Sequence, residues 1–286
     1  MATLISLRRK IKAAQNISKT TRAFQMIAAS KLKKAQDATF ASRPYVTKLT
    51  SLTQSIAERI EDTANYPYLT LRNDTKKTLL IAISPDKGLC GGLVSNLLKE
   101  FLTYTKNEKD GSYIVVGKKI ENQVVRLQNE TVASFSFGTT LPSFSAVYPI
   151  VKLIDEYYLS GNIQTVKILY TDFSSFFSQT PKIATILPVA LAEEKEQHAS
   201  SETLYEPGME QILPSLLKHY LEMSLYQFML ESYLSEQAAR MIAMQNATNN
   251  AKDLIEGYKL EYNKTRQAKI TSELLDITGG RAVANA

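Results

Sequence analysis

The loop Asp86-Lys87-Gly88-Leu89-Cys90-Gly91-Gly92 is the segment in which residue types and spacing come closest to phosphate chemistry. Glycines between a strand and a helix can let backbone N–H groups cradle an anion. The spacing argues against that use, because the loop matches neither G-x-G-x-x-G nor G-x-x-x-x-G-K-[ST]. A tight strand-to-helix turn that needs permissive backbone angles accounts for its three glycines. His198 and His219 are the only histidines and Cys90 the only cysteine, so no cluster of imidazole and thiolate ligands can form. His198 lies in the polar stretch that follows Glu193 and Glu194 and reads as a solvated loop residue. His219, beside Lys218, reads as a helix-surface residue, and Cys90, between Leu89 and Gly91, as a small packed one. Asp155 and Glu156 sit on one helix without a partner in the sequence pattern. No catalytic site, cofactor or metal is expected of this chain.

The elements that carry this loop alternate in kind. Thr78–Ile83 reads as a buried strand, followed by a helix through Leu93, Leu97, Leu98 and Phe101. Strands are expected at Tyr113–Val116, Val132–Phe137, Thr165–Tyr170 and Lys182–Val189, with helices near Lys118–Leu127 and Ser143–Leu159 and a turn around Ser174–Thr180. Strand alternating with helix implies a mostly parallel, Rossmann-like sheet with right-handed crossovers, closed by one hairpin. The expected fold class is α/β. A long antiparallel coiled coil of the N- and C-terminal helices carries this domain between its arms, with boundaries at 1–62, 76–190 and 208–286.

The arms declare themselves by period. Steps of three and four from Leu4 to Ile60 meet apolar residues at eleven of seventeen positions, and most of the rest are small hydroxyl residues such as Thr21, Thr39 and Thr53. The same steps from Leu216 to Tyr262 are apolar at eleven of fourteen. Two seams of one period at opposite ends of the chain pair antiparallel if the insert folds the chain back, although self-dimerisation of each arm satisfies the period equally. Ser215 to Ala286 contains no proline, which allows a rod of roughly 110 Å. Pro44 removes a backbone donor and is expected to kink or interrupt the first arm.

Charge is concentrated in that arm. Among the first 48 residues stand Arg8, Arg9, Lys10, Lys12, Lys19, Arg22, Lys31, Lys33, Lys34, Arg43 and Lys48 against the single acid Asp37, in a chain of net charge +6. Such a coat needs open solvent or an anionic partner: nucleic acid, an acidic membrane surface or an acidic protein collar. A basic coiled-coil nucleic-acid binder is therefore one reading, with few aromatics to stack bases. A single cysteine excludes an intrachain disulfide and suits a reducing compartment. The apolar runs are far shorter than the roughly 20 residues of a spanning helix.

Four motifs, in order, carry a resemblance: Arg9-Lys10-Ile11 through Met26-Ile27-Ala28-Ala29-Ser30-Lys31-Leu32 to Arg43-Pro44-Tyr45; the Asp86–Gly92 loop; Ser235-Glu236-Gln237-Ala238-Ala239-Arg240-Met241; and Tyr262-Asn263-Lys264-Thr265-Arg266-Gln267-Ala268 on to Leu274. Together they resemble the gamma subunit of F-type ATP synthases, end to end. The resemblance implies a non-catalytic central rotor stalk inside a ring of alpha and beta subunits, beside an epsilon subunit and a ring of c subunits. It implies coupling of proton flow to ATP synthesis, on the cytoplasmic face of a bacterial inner membrane. No counterpart of the cysteine-pair insertion of chloroplast members is present.

It also implies contact residues. Arg266 and Gln267 fall where members grip a loop of a catalytic beta subunit, and a guanidinium beside an amide suits an acidic, carbonyl-rich loop. Phe24 and Arg240 fall at the level of the acidic beta-subunit lever; many members carry methionine at the first of these. Lys87 is expected to touch the lower part of a beta subunit, and Tyr205 and Glu206 the polar loops of the c ring. A tip ending in Gly279-Gly280 and small residues suits a bearing as well as a frayed terminus.

Overall fold

The computed structural model describes residues 3–60, 65–70, 77–108, 111–127, 130–189 and 205–284, without the side chains of Leu127 and of residues 276–284. His198 and the polar stretch around it lie outside the described residues, as does the side-chain environment of the Gly279-Gly280 tip. The elements in chain order are α1 (Leu4–Arg59), β1 (Thr78–Ile83), α2 (Leu93–Asn107), β2 (Gly111–Val116), α3 (Lys118–Leu127), β3 (Thr131–Phe135), α4 (Tyr148–Leu159), β4 (Thr165–Ser175), β5 (Ser178–Leu187) and α5 (Met209–Ala284).

Both arms are single helices. α1 continues through Pro44, so the interruption expected there does not occur. The proline ring denies a hydrogen bond to the Phe40 carbonyl, but both residues are exposed, so water can take the donor's place. The Arg43 guanidinium lies 5.2 Å from the Phe40 ring and its Nε donates to Glu231 Oε1 at 3.2 Å, holding this turn against α5. α5 starts earlier than the proline-free stretch, with Pro214 in its second turn; the Glu210 carbonyl, which the missing N–H would have met, accepts from Tyr66 Oη at 3.4 Å instead. Every described seam position from Leu4 to Ile60 and from Leu216 to Tyr262 is buried or half-buried, and none is exposed.

The chain divides into two compact units. One comprises residues 1–28 and 241–286. Within it, Arg8 Nη2 donates to Tyr262 Oη at 3.3 Å, Lys10 Nζ lies 5.5 Å from the Tyr258 ring centroid, and Thr21 Oγ1 meets Thr248 Oγ1 at 2.7 Å. Partner numbers fall as α1 numbers rise, the signature of antiparallel pairing. The hydroxyl pair replaces apolar packing where the seam is thin. Thr21→Val and Thr248→Val are each expected to cost about 1 kcal/mol, and together less than their sum, because both single changes break the same hydrogen bond. Thermal unfolding of the two singles and the double measures this; strictly additive losses would remove the pair from the account.

The other unit, residues 29–240, holds the sheet. Its strand order is β3-β2-β1-β4-β5; β1, β2, β3 and β4 run parallel and β5 antiparallel to β4. β1 is buried along its whole length, as a central strand covered on both faces must be. Leu79, Ile81, Ile83 and Ile114 face a core shared with α4 and with Leu217, Leu221 and Leu225 of α5, while Leu80, Ala82 and Val115 face Leu97, Phe101 and Val124 of α2 and α3. The turn expected over Ser174–Thr180 shrinks to Phe176-Phe177. Gln179 Nε2 donates to the Ser175 and Phe176 carbonyls, which lets β4 and β5 run further than their apolar residues suggest. Pro181 is tolerated because β5 is the edge strand.

Candidate coupling surface at the carboxyl edge of the sheet

In an open α/β sheet, the crevice for a ligand lies at the carboxyl ends of the strands where the order reverses, here between β1 and β4. α5 occupies that place. The Thr171 N–H donates to Ser232 Oγ at 3.3 Å and Ser235 Oγ donates to the Thr171 carbonyl at 3.0 Å. What remains is a cavity of about 50 Å³ lined by Asp86, Thr171, Met229, Ser232, Tyr233 and Glu236 among others. Small-molecule pockets span ~300–1,000 Å³, so this space accepts a water or two and no nucleotide.

The glycine loop above the cavity is organised by Asp86. Its Oδ1 accepts from the Lys118 N–H at 3.0 Å, and Oδ2 from the Gly138 N–H at 2.7 Å and Ser136 Oγ at 3.0 Å. One carboxylate thus joins the ends of β1 and β3 to the start of α3. Beyond it the backbone turns through positive φ at Leu89 (64°) and Gly91 (59°). That turn sends the Leu89 side chain outward and the Cys90 side chain inward against Leu93 and Ala239. Burial pushes the Cys90 thiol above its usual value, which keeps it protonated and unreactive. Lys87 is exposed.

Arg240 ties this loop to α5. Its Nη2 donates to the Lys87 and Gly88 carbonyls at 3.2 and 3.3 Å and lies 2.7 Å from Glu236 Oε1 one turn back. Two hydrogens serve three acceptors, so Oε1 has an ion pair without a well-aimed hydrogen bond. Burial raises the Glu236 carboxyl above its ordinary value, and Arg240 works against that rise.

Arg240 and the Lys87 backbone are therefore brought together, and Arg240 Nη2 is engaged within the chain. Phe24 is 43% exposed on α1, and Arg266 and Gln267 are exposed on α5. Tyr205 is half-buried against the main core, whereas Glu206 beside it is exposed, at a cis bond to Pro207. His219 is more than a surface residue: its Nε2 meets Tyr45 Oη at 2.8 Å and its Nδ1 lies 3.7 Å from Glu222. Sequence reasoning missed Asp86 and Glu236 as organisers. The Asp86 contacts span about thirty to fifty residues of sequence, and no local pattern announces them. Among the described residues, no three metal-capable side chains cluster and no helix is long and apolar enough to cross a membrane.

Two long antiparallel helices, an insert whose ligand crevice is filled by one of them, and a loop clamped to that helix define a mechanical subunit. The sequence model of a family described as ATP synthase matches residues 3–283. The chain is 42% identical over 283 residues to the ATP synthase gamma chain of Dehalococcoides mccartyi (strain CBDB1), and 35% identical over 288 residues to that of Legionella pneumophila (strain Corby), with 99% of each chain covered in both cases. Its fold is similar to that of a chain in the Euglena gracilis mitochondrial ATP synthase (OSCP/F1/c-ring, rotational state 3), with a TM-score of 0.69 at 20% identity, over 99% of this chain and 95% of that one. The chain belongs to the ATP synthase gamma-chain family.

Proposed function

We propose that this chain is the central rotor shaft of a proton-translocating F-type ATP synthase, coupling proton flow through a membrane ring of c subunits to ATP synthesis in a head of alpha and beta subunits. The observation that carries the reading is the family match along nearly the whole chain, on a chain whose ends are two long helices. The chain performs no bond chemistry: its sheet crevice is filled by its own helix and the remaining cavity is about 50 Å³. Its work is differential contact. One asymmetric shaft touches each of three catalytic sites differently, so its angle biases them between states, and the coupling runs both ways. The same reading makes it a peripheral subunit on the cytoplasmic face of a bacterial inner membrane, with an epsilon subunit beside the insert, and a contributor to the control of ATPase activity.

The exposed Arg266 and Gln267, the exposed Lys87 and Phe24, and the Tyr205–Glu206 corner are its contacts, while Arg240 acts by holding the Lys87 loop in place. Replacing Arg266 and Gln267 together with alanine is expected to lower ATP-driven proton pumping at least about tenfold, the equivalent of one charge-assisted grip lost. Unchanged pumping by the assembled double variant would end their assignment. Failure of the chain to join alpha and beta subunits as one copy per six would end the rotor reading itself.

A further inference from the structure

Glu236 is a buried carboxyl group whose ionisation the shaft reading does not use. Its Oε1 lies 2.7 Å from Arg240 Nη2 without a well-aimed hydrogen bond, while the same nitrogen donates to the Lys87 and Gly88 carbonyls at 3.2 and 3.3 Å. Three acceptors compete for two hydrogens, and only one of the three can change its charge. An ionised carboxylate draws a guanidinium hydrogen more strongly than a carbonyl does. Once protonated, it loses that advantage.

The charged neighbours of Glu236 are committed elsewhere. Besides Arg240 it faces Asp86 from the loop after β1 and Lys31 from α1, and its own charge reaches Tyr233 and Cys90. Lys31 Nζ donates to the Thr139 carbonyl at 2.5 Å, and the Asp86 oxygens accept from the Lys118 and Gly138 N–H groups and from Ser136 Oγ. Neither is free to take over from Arg240. Burial raises the Glu236 carboxyl above its ordinary value, with Arg240 and Lys31 pulling it down and Asp86 adding to the rise. A proton can reach it, because Glu236 and Asp86 line the cavity of about 50 Å³, which has room for a water.

We propose that Glu236 is a proton-operated control on the Lys87–Gly88 loop: ionised, it draws Arg240 Nη2 away from the two carbonyls and loosens the loop; protonated, it leaves both hydrogens to them and the loop is held to α5. All of these groups lie in the unit of residues 29–240, and the proposal holds whether or not the chain is a rotor. In a rotor, it makes the firmness of a contact loop depend on the pH around the stalk. Cys90 supplies the readout. It is the only cysteine and is 2% exposed, with its side chain turned in, so a thiol reagent reaches it when the loop opens. The rate of dithiodipyridine labelling of the urea-unfolded chain, divided by that of the folded full-length chain at the same pH, gives a protection factor corrected for ionisation of the exposed thiol. Protection near about pH 5 is expected to exceed that near about pH 8 by about fivefold or more. Glu236→Gln, neutral at every pH, is expected to keep the higher protection at both values. The control Glu210→Gln, at an exposed acid of the same helix, is expected to retain the wild-type dependence. Labelling through the loop should not respond to dilute urea, whereas labelling through global unfolding does. Equal protection at the two pH values, protection that falls toward pH 5, an unchanged pH dependence in Glu236→Gln, or labelling that accelerates in dilute urea each overturns the proposal.

Discussion

Arg240→Ala is expected to lower the unfolding free energy by about 3–5 kcal/mol, because it strands a carboxylate in the protein interior. Glu236 is only 7% exposed and its ion pair is with the Arg240 guanidinium at 2.7 Å, while the weaker pull of Lys31 is opposed by the charge of Asp86. The same change deprives the Lys87 and Gly88 carbonyls of their donor and loosens the loop on α5. Adding Glu236→Gln to Arg240→Ala is expected to recover most of the loss, since a neutral amide leaves no unpaired charge. The pH dependence has a definite sign. Burial raises the folded-state value of Glu236 above its ordinary 4.5, so the native protein binds more protons than the unfolded chain just above that pH, and stability falls as pH rises. Without Arg240 the folded-state value rises further and the fall grows. The deficit of Arg240→Ala against the wild type should therefore be smaller near about pH 5 than near about pH 8. Urea unfolding at the two pH values measures it. Equal deficits at both, with no recovery in the double variant, would show that Glu236 is not the group being stranded.

Gly117→Val is the second large effect, on the order of 4 kcal/mol of stability. Gly117 follows β2 directly, at φ +94°, where a Cβ would lie 1.9 Å from the Ser84 carbonyl oxygen. That oxygen cannot yield, because the Ser84 N–H and hydroxyl are both bonded to β2 at Val116, so β1 and β2 would have to separate. Gly138 offers the comparison: φ is +73° but nothing lies within 4 Å of its Cβ position. Gly138→Ala should cost only the backbone strain, ~1–2 kcal/mol. Thermal unfolding of the two variants separates close approach from strain, and equal losses would refute the steric account.

The arms and the alternation of strand and helix were legible in the residues alone. Period is a local property: a side chain every three or four residues falls on one helix face whatever the rest of the chain does. Leu7, Ala14, Leu32, Ala35 and Leu49 were bound to become a seam once any partner arrived, and they are buried. Proline at 44 does not interrupt the helix: local rules record the lost hydrogen bond and not the exposure that lets water replace it. The turn before Ser178 misled because serine and glutamine close the hairpin through side-chain bonds to its backbone.

The candidate site was half legible. The glycines of the Asp86–Gly92 loop marked a tight turn, but whether that turn held phosphate or packed against protein depended on what filled the crevice beneath it. No local pattern marks the polar residues Ser232, Ser235 and Glu236 as interior, yet they are buried, with Ser232 and Ser235 bonded to the backbone of β4. The bonds from Arg240 to the Lys87 and Gly88 carbonyls were not legible either, because they join residues some 150 positions apart. The sequence by itself determined which segments are helices and strands and which face of each is apolar, because spacing along one element settles both. Only the tertiary structure decided that α5 closes the crevice and clamps the loop, because burial of a polar group depends on partners far away in the chain.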